Sequence, residues 1–414
     1  MKKRVVVTGL GALTPIGNTV QDYWNALLAG VSGANLITKF DTTNFKTKFA
    51  CEVKNFNPDN FIDKKEMRFM DACSQYAMVS CLEAVSDSGI DFKQENKERI
   101  GVILGTGIGG YESIADAVNT FRDNGNSPRL SPYQILKVLG NLVAGNIALH
   151  YDLRGVSYII SSACASSSNA ISSAYNYILL DKADIIISGG SEACILETPI
   201  GGFNAMRALS TKNEEFASAS RPFDVSRDGF VMGEGSGILI LEEYEHAKAR
   251  GAKIYAELSG IGLSTDTFHV TSPNPNGLSA LASMKGAIED AHLKTTDIDH
   301  INTHATSTPI GDVSECLAIA TLFEEHAYKM AINSTKSMTG HLLGAAGAIE
   351  AIATILTIKN GIVPPTINLL NQDPAIPNFN FCANKAVKKS VSAAISNSFG
   401  FGGHNSSLLF TKID

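Results

Sequence analysis

Short apolar runs, rich in Val and Ile and bounded by glycine, alternate along the chain with longer segments whose apolar positions recur every three and four residues. Arg4–Gly9 reads as a strand, and Val20–Gly30 as a helix closed by its glycine. Asp63–Asp87 is expected to be helical. Arg99–Leu104 is a strand that feeds Gly105-Thr-Gly-Ile-Gly-Gly110 and a helix near Glu112–Arg122. A loop over Asn124–Pro132 and a helix over Tyr133–His150 follow. The run Val156–Ile160 then stops in small residues around Cys164, and Ala170, Ile171, Ala174, Tyr175, Ile178 and Leu179 resume helical spacing. This is a strand, a tight elbow and a helix, with Cys164 expected in the first helical turn. Next come a strand at Ile185–Gly189, a long glycine-containing loop to Arg221 and a hairpin around Gly229–Glu242. Such alternation predicts an α/β protein with largely buried sheets.

The pattern repeats within the chain. Val5-Val-Val-Thr-Gly-Leu-Gly resembles Ala256-Glu-Leu-Ser-Gly-Ile-Gly. Phe230-Val-Met-Gly-Glu-Gly-Ser-Gly-Ile-Leu-Ile-Leu resembles Phe399-Gly-Phe-Gly-Gly-His-Asn-Ser-Ser-Leu-Leu-Phe. The Cys164 elbow resembles Ala331-Ile-Asn-Ser-Thr-Lys followed by a Gly/Ala-rich helix. Two similar α/β halves are therefore expected, 1–251 and 252–414, each with an elbow in an equivalent place. A pseudo-twofold arrangement would bring the two elbows to one site.

Composition narrows this picture. Of 414 residues, 44% are hydrophobic and 18% charged, which fits an ordinary globular chain and not a disordered or fibrous one. The net charge of −7 argues against a large nucleic-acid footprint, although a local basic patch could still hold an acidic partner. The seven cysteines are odd in number and form no CxxC pair, so reduced thiols are expected rather than a disulfide framework or a zinc ribbon. The basic opening MKKR leads into an apolar stretch that breaks at Gly9, too short for a signal peptide. No apolar run is long enough to span a bilayer, and a cytoplasmic location is expected.

Candidate chemistry gathers at the ends of strand-like runs. Cys164 lies among small residues. Asn302-Thr-His304-Ala-Thr-Ser-Thr308 follows the run Ile298–Ile301, and Ser334-Thr-Lys336-Ser-Met-Thr-Gly-His341 follows Met330–Ile332. Asn397-Ser-Phe-Gly-Phe401-Gly-Gly-His404 forms a turn. A cysteine at a helix N-terminus is expected to gain thiolate character and to attack a thioester carbonyl. Two neutral imidazoles aimed at one oxygen can stabilise an enolate, which suits decarboxylation of a β-carboxy thioester. A structural cysteine and satisfied buried histidines are the alternatives. A zinc site built on Cys164, His304 and His341 would need a fourth ligand. Gly105–Gly110 matches GxGxxG, but no acidic residue ends a following strand, so a dinucleotide site is not supported.

At these residues the chain resembles the β-ketoacyl-[acyl-carrier-protein] synthases of the thiolase-like superfamily, most closely the synthase II group of bacterial fatty-acid synthesis. The resemblance runs from VTGLGALTPIG to SNSFGFGGHNSSLLF, and NTHATSTPIGD and STKSMTGHLLGAAGAIE are its most specific motifs. It implies a thiolase-like fold, two α/β halves packed as a five-layer αβαβα sandwich. It implies an acyltransferase that elongates by decarboxylative Claisen condensation, with Cys164 as nucleophile and His304 and His341 as the decarboxylating pair. Lys336 and Glu350 match a polar network beside the histidines, with Asp312 and Glu315 further out. Thr306 and Thr308 match pantetheine-binding positions, Ile108 and Phe203 the acyl pocket, and Phe401 a gating aromatic. The implied partner is an acidic acyl carrier protein, acyl- or malonyl-loaded, docking on Lys64, Lys65, Arg68, Arg129 and Arg207. The implied cofactor set is empty: no metal, and a phosphopantetheine that belongs to the carrier. A homodimer is implied, with no nucleic acid and no membrane. A polyketide-type ketosynthase or synthase I would share this chemistry, and a non-catalytic chain-length partner would have lost the nucleophile. Ser162 stands where many relatives have Thr, and His404 where some have Thr.

Overall fold

The computed structural model describes residues 3–413; Met1 and Lys2, which begin the basic opening, and Asp414 lie outside the described residues. Ten strands carry the fold: β1 (Val5–Leu13), β2 (Ile100–Gly105), β3 (Ser157–Ile160), β4 (Ile185–Glu192), β5 (Gly235–Glu243), β6 (Ala256–Thr265), β7 (His300–Asn302), β8 (Ala331–Asn333), β9 (Ala393–Gly400) and β10 (His404–Thr411). Their spatial order is β8-β7-β9-β10-β6-β1-β5-β4-β2-β3. The first half reads 3-2-4-5-1 from its outer end, and the second reads the same order shifted by five. Strand directions match too: β4, β2 and β3 are parallel, as are β9, β7 and β8, while β5 and β10 run antiparallel to their neighbours.

The halves join where β1 meets β6, over Val5–Val7 against Ala256–Leu258. Beyond Val7 the sheets part, and side chains satisfy the released amides. Leu10 N–H donates to Asp87 at 3.0 Å and Ile261 N–H to Asp290 at 3.1 Å, equivalent positions of the two halves. The paired glycines of this motif have a steric cause. A Cβ on Gly11 would lie 1.9 Å from the Ser80 carbonyl oxygen, and one on Gly262 1.8 Å from that of Ser283. In each half a helix, Ala72–Ser88 or Leu278–Asp290, therefore lies directly on the strand backbone.

Helices complete five layers. α1 (Ala72–Ser88) covers the outer face of β1 and β5. α2 (Tyr111–Asp123) follows β2. α3 (Ser166–Leu179) and α6 (Ala346–Asn360) lie between the half-sheets and touch both. α4 (Leu278–Asp290) covers β6 and β10 and packs on α5 (Pro309–Phe323). The central layer explains the composition of α6, buried from Ala346 through Ile358. A helix enclosed by sheets on two sides has no solvated stripe, so small and apolar residues dominate every face, with Glu350 as its fully buried charge.

Four local expectations are corrected. The helix expected over Asp63–Asp87 is broken at Asp71, whose carboxylate caps α1 through Cys73 N–H and also accepts from Ser113 N–H and Oγ. The helix expected over Tyr133–His150 divides into Gln134–Val138 and Leu142–Tyr151. No hairpin occupies Gly229–Glu242: β5 is a single strand between β1 and β4, and residues 229–234 instead brace a loop of the other half. The equivalent strands β9 and β10 do form a hairpin, turning at Phe401-Gly-Gly403. The long loop before Arg221 contains an unforeseen helix, Glu197–Ala205.

Candidate active site

The nucleophile elbow leaves β3 and enters α3. Cys164 was expected inside the helix, but the helix begins at Ser166, and Cys164 stands on the bend before it. Ala163 has φ +50°, a left-handed backbone uncommon for a residue with a side chain. The bend is tied by Ser162 N–H to Ser166 Oγ at 2.9 Å and by Asn169 Nδ2 to Ser162 Oγ at 2.7 Å. A hydroxyl at position 162 is thus used. The end of β9 closes on the bend: a Cβ on Gly400 would lie 2.7 Å from the Ser162 carbonyl oxygen, so only glycine allows this approach.

Burial pushes the Cys164 thiol up to about 12, against the pull of Lys336 and of the backbone N–H groups of Phe401 and Cys164 itself. The expected gain in thiolate character is therefore reversed in the resting site, because desolvation outweighs the donors. Cys164 is also the one partly exposed cysteine of the seven; the others are buried. The rate of single-site alkylation by iodoacetamide should accordingly keep rising about tenfold per pH unit from pH 7 to 10. A plateau near the ordinary thiol range of about 8.5, read by peptide mass, would contradict this environment.

The second elbow leaves β8. Lys336 begins a short helical turn, Gly340 (φ +68°) reverses the chain, and His341 precedes α6 with Leu343 at φ +49°. His341 is held from both sides, its N–H donating to Val231 O at 2.7 Å and its carbonyl accepting from Gly233 N–H at 2.9 Å. These are the residues expected to form a hairpin. His304 follows β7, and Glu315 on α5 fixes that turn by accepting from His304 N–H at 3.0 Å and Ala305 N–H at 2.8 Å. Asn397 Nδ2 donates to the same carboxylate at 2.9 Å.

The two imidazoles meet edge to face, centroids 5.2 Å apart at 87°. Burial holds both well below the usual histidine range, and the buried Lys336 ammonium lowers them further. Both rings are therefore neutral near neutral pH, and each can donate one N–H. Lys336 is itself enclosed, ion-paired with Glu350 and within 3.4 Å of Thr303 O. Burial pushes the Glu350 carboxyl up, against the pull of Lys336.

One cavity of about 480 Å³ gathers most of these groups. Cys164, His304 and His341 line it, together with Thr306, Thr308, Glu315, Ile108, Phe203, Phe401 and Arg207. The two threonine hydroxyls lie 3.2 Å apart. Ring contacts run from Phe401 through Phe203 and Phe230 to His341, then to His304 and Phe399. Phe230 and Phe399 were not foreseen, although each adjoins a glycine in the repeated glycine-rich segments.

Other expected residues support the cavity or lie away from it. Lys336 and Glu350 sit behind the imidazoles. Glu315, expected further out, supports the His304 turn directly. Asp312 accepts from Phe223 N–H at 3.0 Å and Thr308 N–H at 3.2 Å and pairs with Arg227 at 3.4 Å, so it braces the threonine loop. Lys64, Lys65, Arg68 and Arg129 are exposed and outside the cavity, and Lys64 pairs with Asp59 at 3.7 Å. The glycine loop Gly105–Gly110 faces an internal carboxylate: Gly107 and Ile108 N–H donate to Glu192, a residue the sequence reading passed over. Among the described residues no group of three or more His, Cys, Asp or Glu could hold a metal ion, and no helix is long and apolar enough to cross a membrane.

The model of the beta-ketoacyl synthase N-terminal domain matches residues 2–247, and that of the C-terminal domain residues 255–370. The chain belongs to the beta-ketoacyl synthase family. This synthase is 46% identical over 411 residues to 3-oxoacyl-[acyl-carrier-protein] synthase 2 of Synechocystis, covering 99% of this chain and 98% of that one. It is 46% identical to the protein of the same name from Vibrio harveyi, over 100% and 99% of the two chains. A beta-ketoacyl synthase from Burkholderia phymatum superposes with a TM-score of 0.92 at 36% identity over the full length of both chains. A ketosynthase solved in complex with its type II polyketide acyl-carrier protein superposes with a TM-score of 0.93 at 32% identity, again over both full lengths.

Proposed function

We propose that this synthase takes an acyl group from a carrier-protein thioester onto Cys164 and extends it by two carbons through decarboxylative condensation. One observation carries the reading: a cysteine with two backbone N–H groups near its sulfur shares a cavity with two neutral imidazoles that touch edge to face. The Cys164 sulfur attacks the thioester carbonyl, a new C–S bond forms and the carrier thiol leaves. A malonyl thioester then enters. The imidazole N–H groups of His304 and His341 stabilise negative charge on its thioester oxygen as CO2 departs. The resulting carbanion attacks the acyl-Cys164 carbonyl, whose oxyanion is received by the N–H groups of Cys164 and Phe401. Collapse expels the Cys164 thiolate and leaves a β-ketoacyl carrier protein. Neutral rings are required, since an imidazolium would give up its proton to the enolate.

The chain is a condensing acyltransferase of the 3-oxoacyl-[acyl-carrier-protein] synthase 2 type, in line with relatives of that name at 46% identity. A non-catalytic chain-length partner is disfavoured by the retained cysteine. Residues 1–251 supply the nucleophile and 252–414 the histidine pair. Thr306 and Thr308 hold the pantetheine arm, which belongs to the carrier protein, and no cofactor is bound permanently. Phe401 gates the cavity, and Ile108 and Phe203 bound the acyl chain. The site works in the cytoplasm.

A homodimer fits the unequal ends of the sheet. The outer edge of β8 is covered, Ile332 N–H donating to Asn380 O at 2.9 Å, whereas β3 ends the sheet with its residues half-exposed. Ile114, Val118, Phe121 and Ile135 add exposed apolar surface after β2. A second copy across β3 would cover both.

Incubation of the synthase with hexanoyl- and malonyl-carrier protein tests the reading: a β-ketoacyl product two carbons longer, with equimolar CO2, is expected, and its absence defeats the proposal. Charge reversal at Lys65 and Arg68 should weaken carrier binding several-fold at low salt and little at high salt. Unchanged, salt-independent binding would remove these residues from the docking surface.

A further inference from the structure

Glu192 ends β4 in full burial, and its surroundings are unusual for a carboxyl group. Oε2 accepts from Gly107 N–H at 2.8 Å and Gly344 N–H at 2.9 Å. Oε1 accepts from Ile108 N–H and Thr106 Oγ1, each at 3.2 Å, and from Cys194 Sγ at 3.3 Å. Five donors converge on it, three of them backbone N–H groups that can only donate; burial pushes the carboxyl up, against the pull of these donors. The two glycines are shaped to it: a Cβ on Gly107 would lie 2.7 Å from Oε2, and one on Gly344 2.5 Å.

The donors belong to separate parts of the site. Gly107 and Ile108 form the turn after β2, in the first half. Gly344 lies in the loop between His341 and α6, in the second half, one residue after the left-handed Leu343. We infer that Glu192 is a positioning residue, fastening the turn that carries Ile108 to the loop that follows His341, so that acyl pocket wall and decarboxylating imidazole are held in one register. The inference rests on the roles proposed for Ile108 and His341, but the link itself is a matter of geometry. A burial-only role would need neither backbone donors converging from two loops nor glycine at both positions. The carboxylate also faces the cavity that Cys164 lines, so it contributes negative charge near the sulfur.

Glu192→Gln in the full chain keeps the volume but replaces one acceptor oxygen with a donor, so at least one tie is lost whichever way the amide turns. Three changes are expected together. Malonyl decarboxylation falls at least about tenfold, as a displaced imidazole would cause. The ratio of Cys164 acylation rates for long and short acyl-carrier proteins shifts by at least about fivefold. The alkylation profile of Cys164 moves to lower pH, because a negative charge near the thiol is gone. A folded variant with wild-type decarboxylation, acylation ratio and alkylation profile overturns the inference, even if its melting temperature is lower. If the variant does not fold, amide exchange in the wild-type chain decides. Gly107, Ile108 and Gly344 should open at one shared rate, and independent exchange of the two loops overturns the link. This measurement needs no turnover, so absence of an acyl adduct on the wild-type synthase would defeat the proposed function without deciding the link.

Discussion

Cys164→Ala is expected to acquire no acyl mass from acyl-carrier protein and to lose condensation by at least about 10⁴-fold. The change is small in volume and leaves the bend intact, since the ties there come from Ser162, Ser166 and Asn169 rather than from the sulfur. Stability should accordingly change little. The histidine half is untouched, because the His304 turn is set by Glu315 and the His341 loop by Val231 and Gly233. Malonyl decarboxylation should therefore persist in the variant, with acetyl-carrier protein as its product. Loss of both activities together would mean that the thiol participates in decarboxylation, and the separation of roles would fail. A retained acyl adduct, located by peptide mass, would move the nucleophile elsewhere.

The halves could be recognised in the chain because their steric demands are local. A glycine pair under α1 and under α4 leaves the same trace at Gly9–Gly11 and Gly260–Gly262, and an elbow of small residues leaves the same trace before α3 and α6. The candidate site was legible for a similar reason: Cys164, His304 and His341 each lie among small residues in the segment that follows a strand. What was not legible depends on contacts between distant segments. The thiol environment of Cys164 is one case, since the apolar groups packed against it, Ile195, Ile200, Phe230 and Leu343 among them, come from distant segments and reverse the effect expected of a helix terminus. Residues 229–234 are another, because their glycine pattern suits a hairpin while their partner is the His341 loop. Glu192 was missed because Ser188-Gly-Gly190 looks like the end of a strand, and the strand continues through them only because β2 and β5 flank it. Glu315 was placed too far out because sequence spacing along α5 does not reveal that its carboxylate turns back to the amides of residues 304 and 305.

Lys336→Met is expected to change the acid limb of activity in a direction fixed by charge. Lys336 lies behind both imidazoles and lowers both, so losing the ammonium lets each ring take a proton at higher pH. The acid limb of malonyl decarboxylation should move up in pH, since protonated rings no longer serve the enolate. The same loss raises the Cys164 thiol further, because the ammonium is the largest influence holding it down, and acylation should slow as well. Stability is also affected: removing one member of a fully buried pair leaves Glu350 uncompensated, at a cost of about 3–5 kcal/mol. The double variant Lys336→Met, Glu350→Gln separates the two effects. It removes the orphaned charge, so most of the lost stability should return, while the imidazoles still lack the cation and the acid limb stays displaced. If the double variant regains the wild-type pH profile along with its stability, Lys336 acts only as packing for Glu350. If it regains stability alone, the ammonium adds to burial in keeping His304 and His341 neutral where the enolate forms.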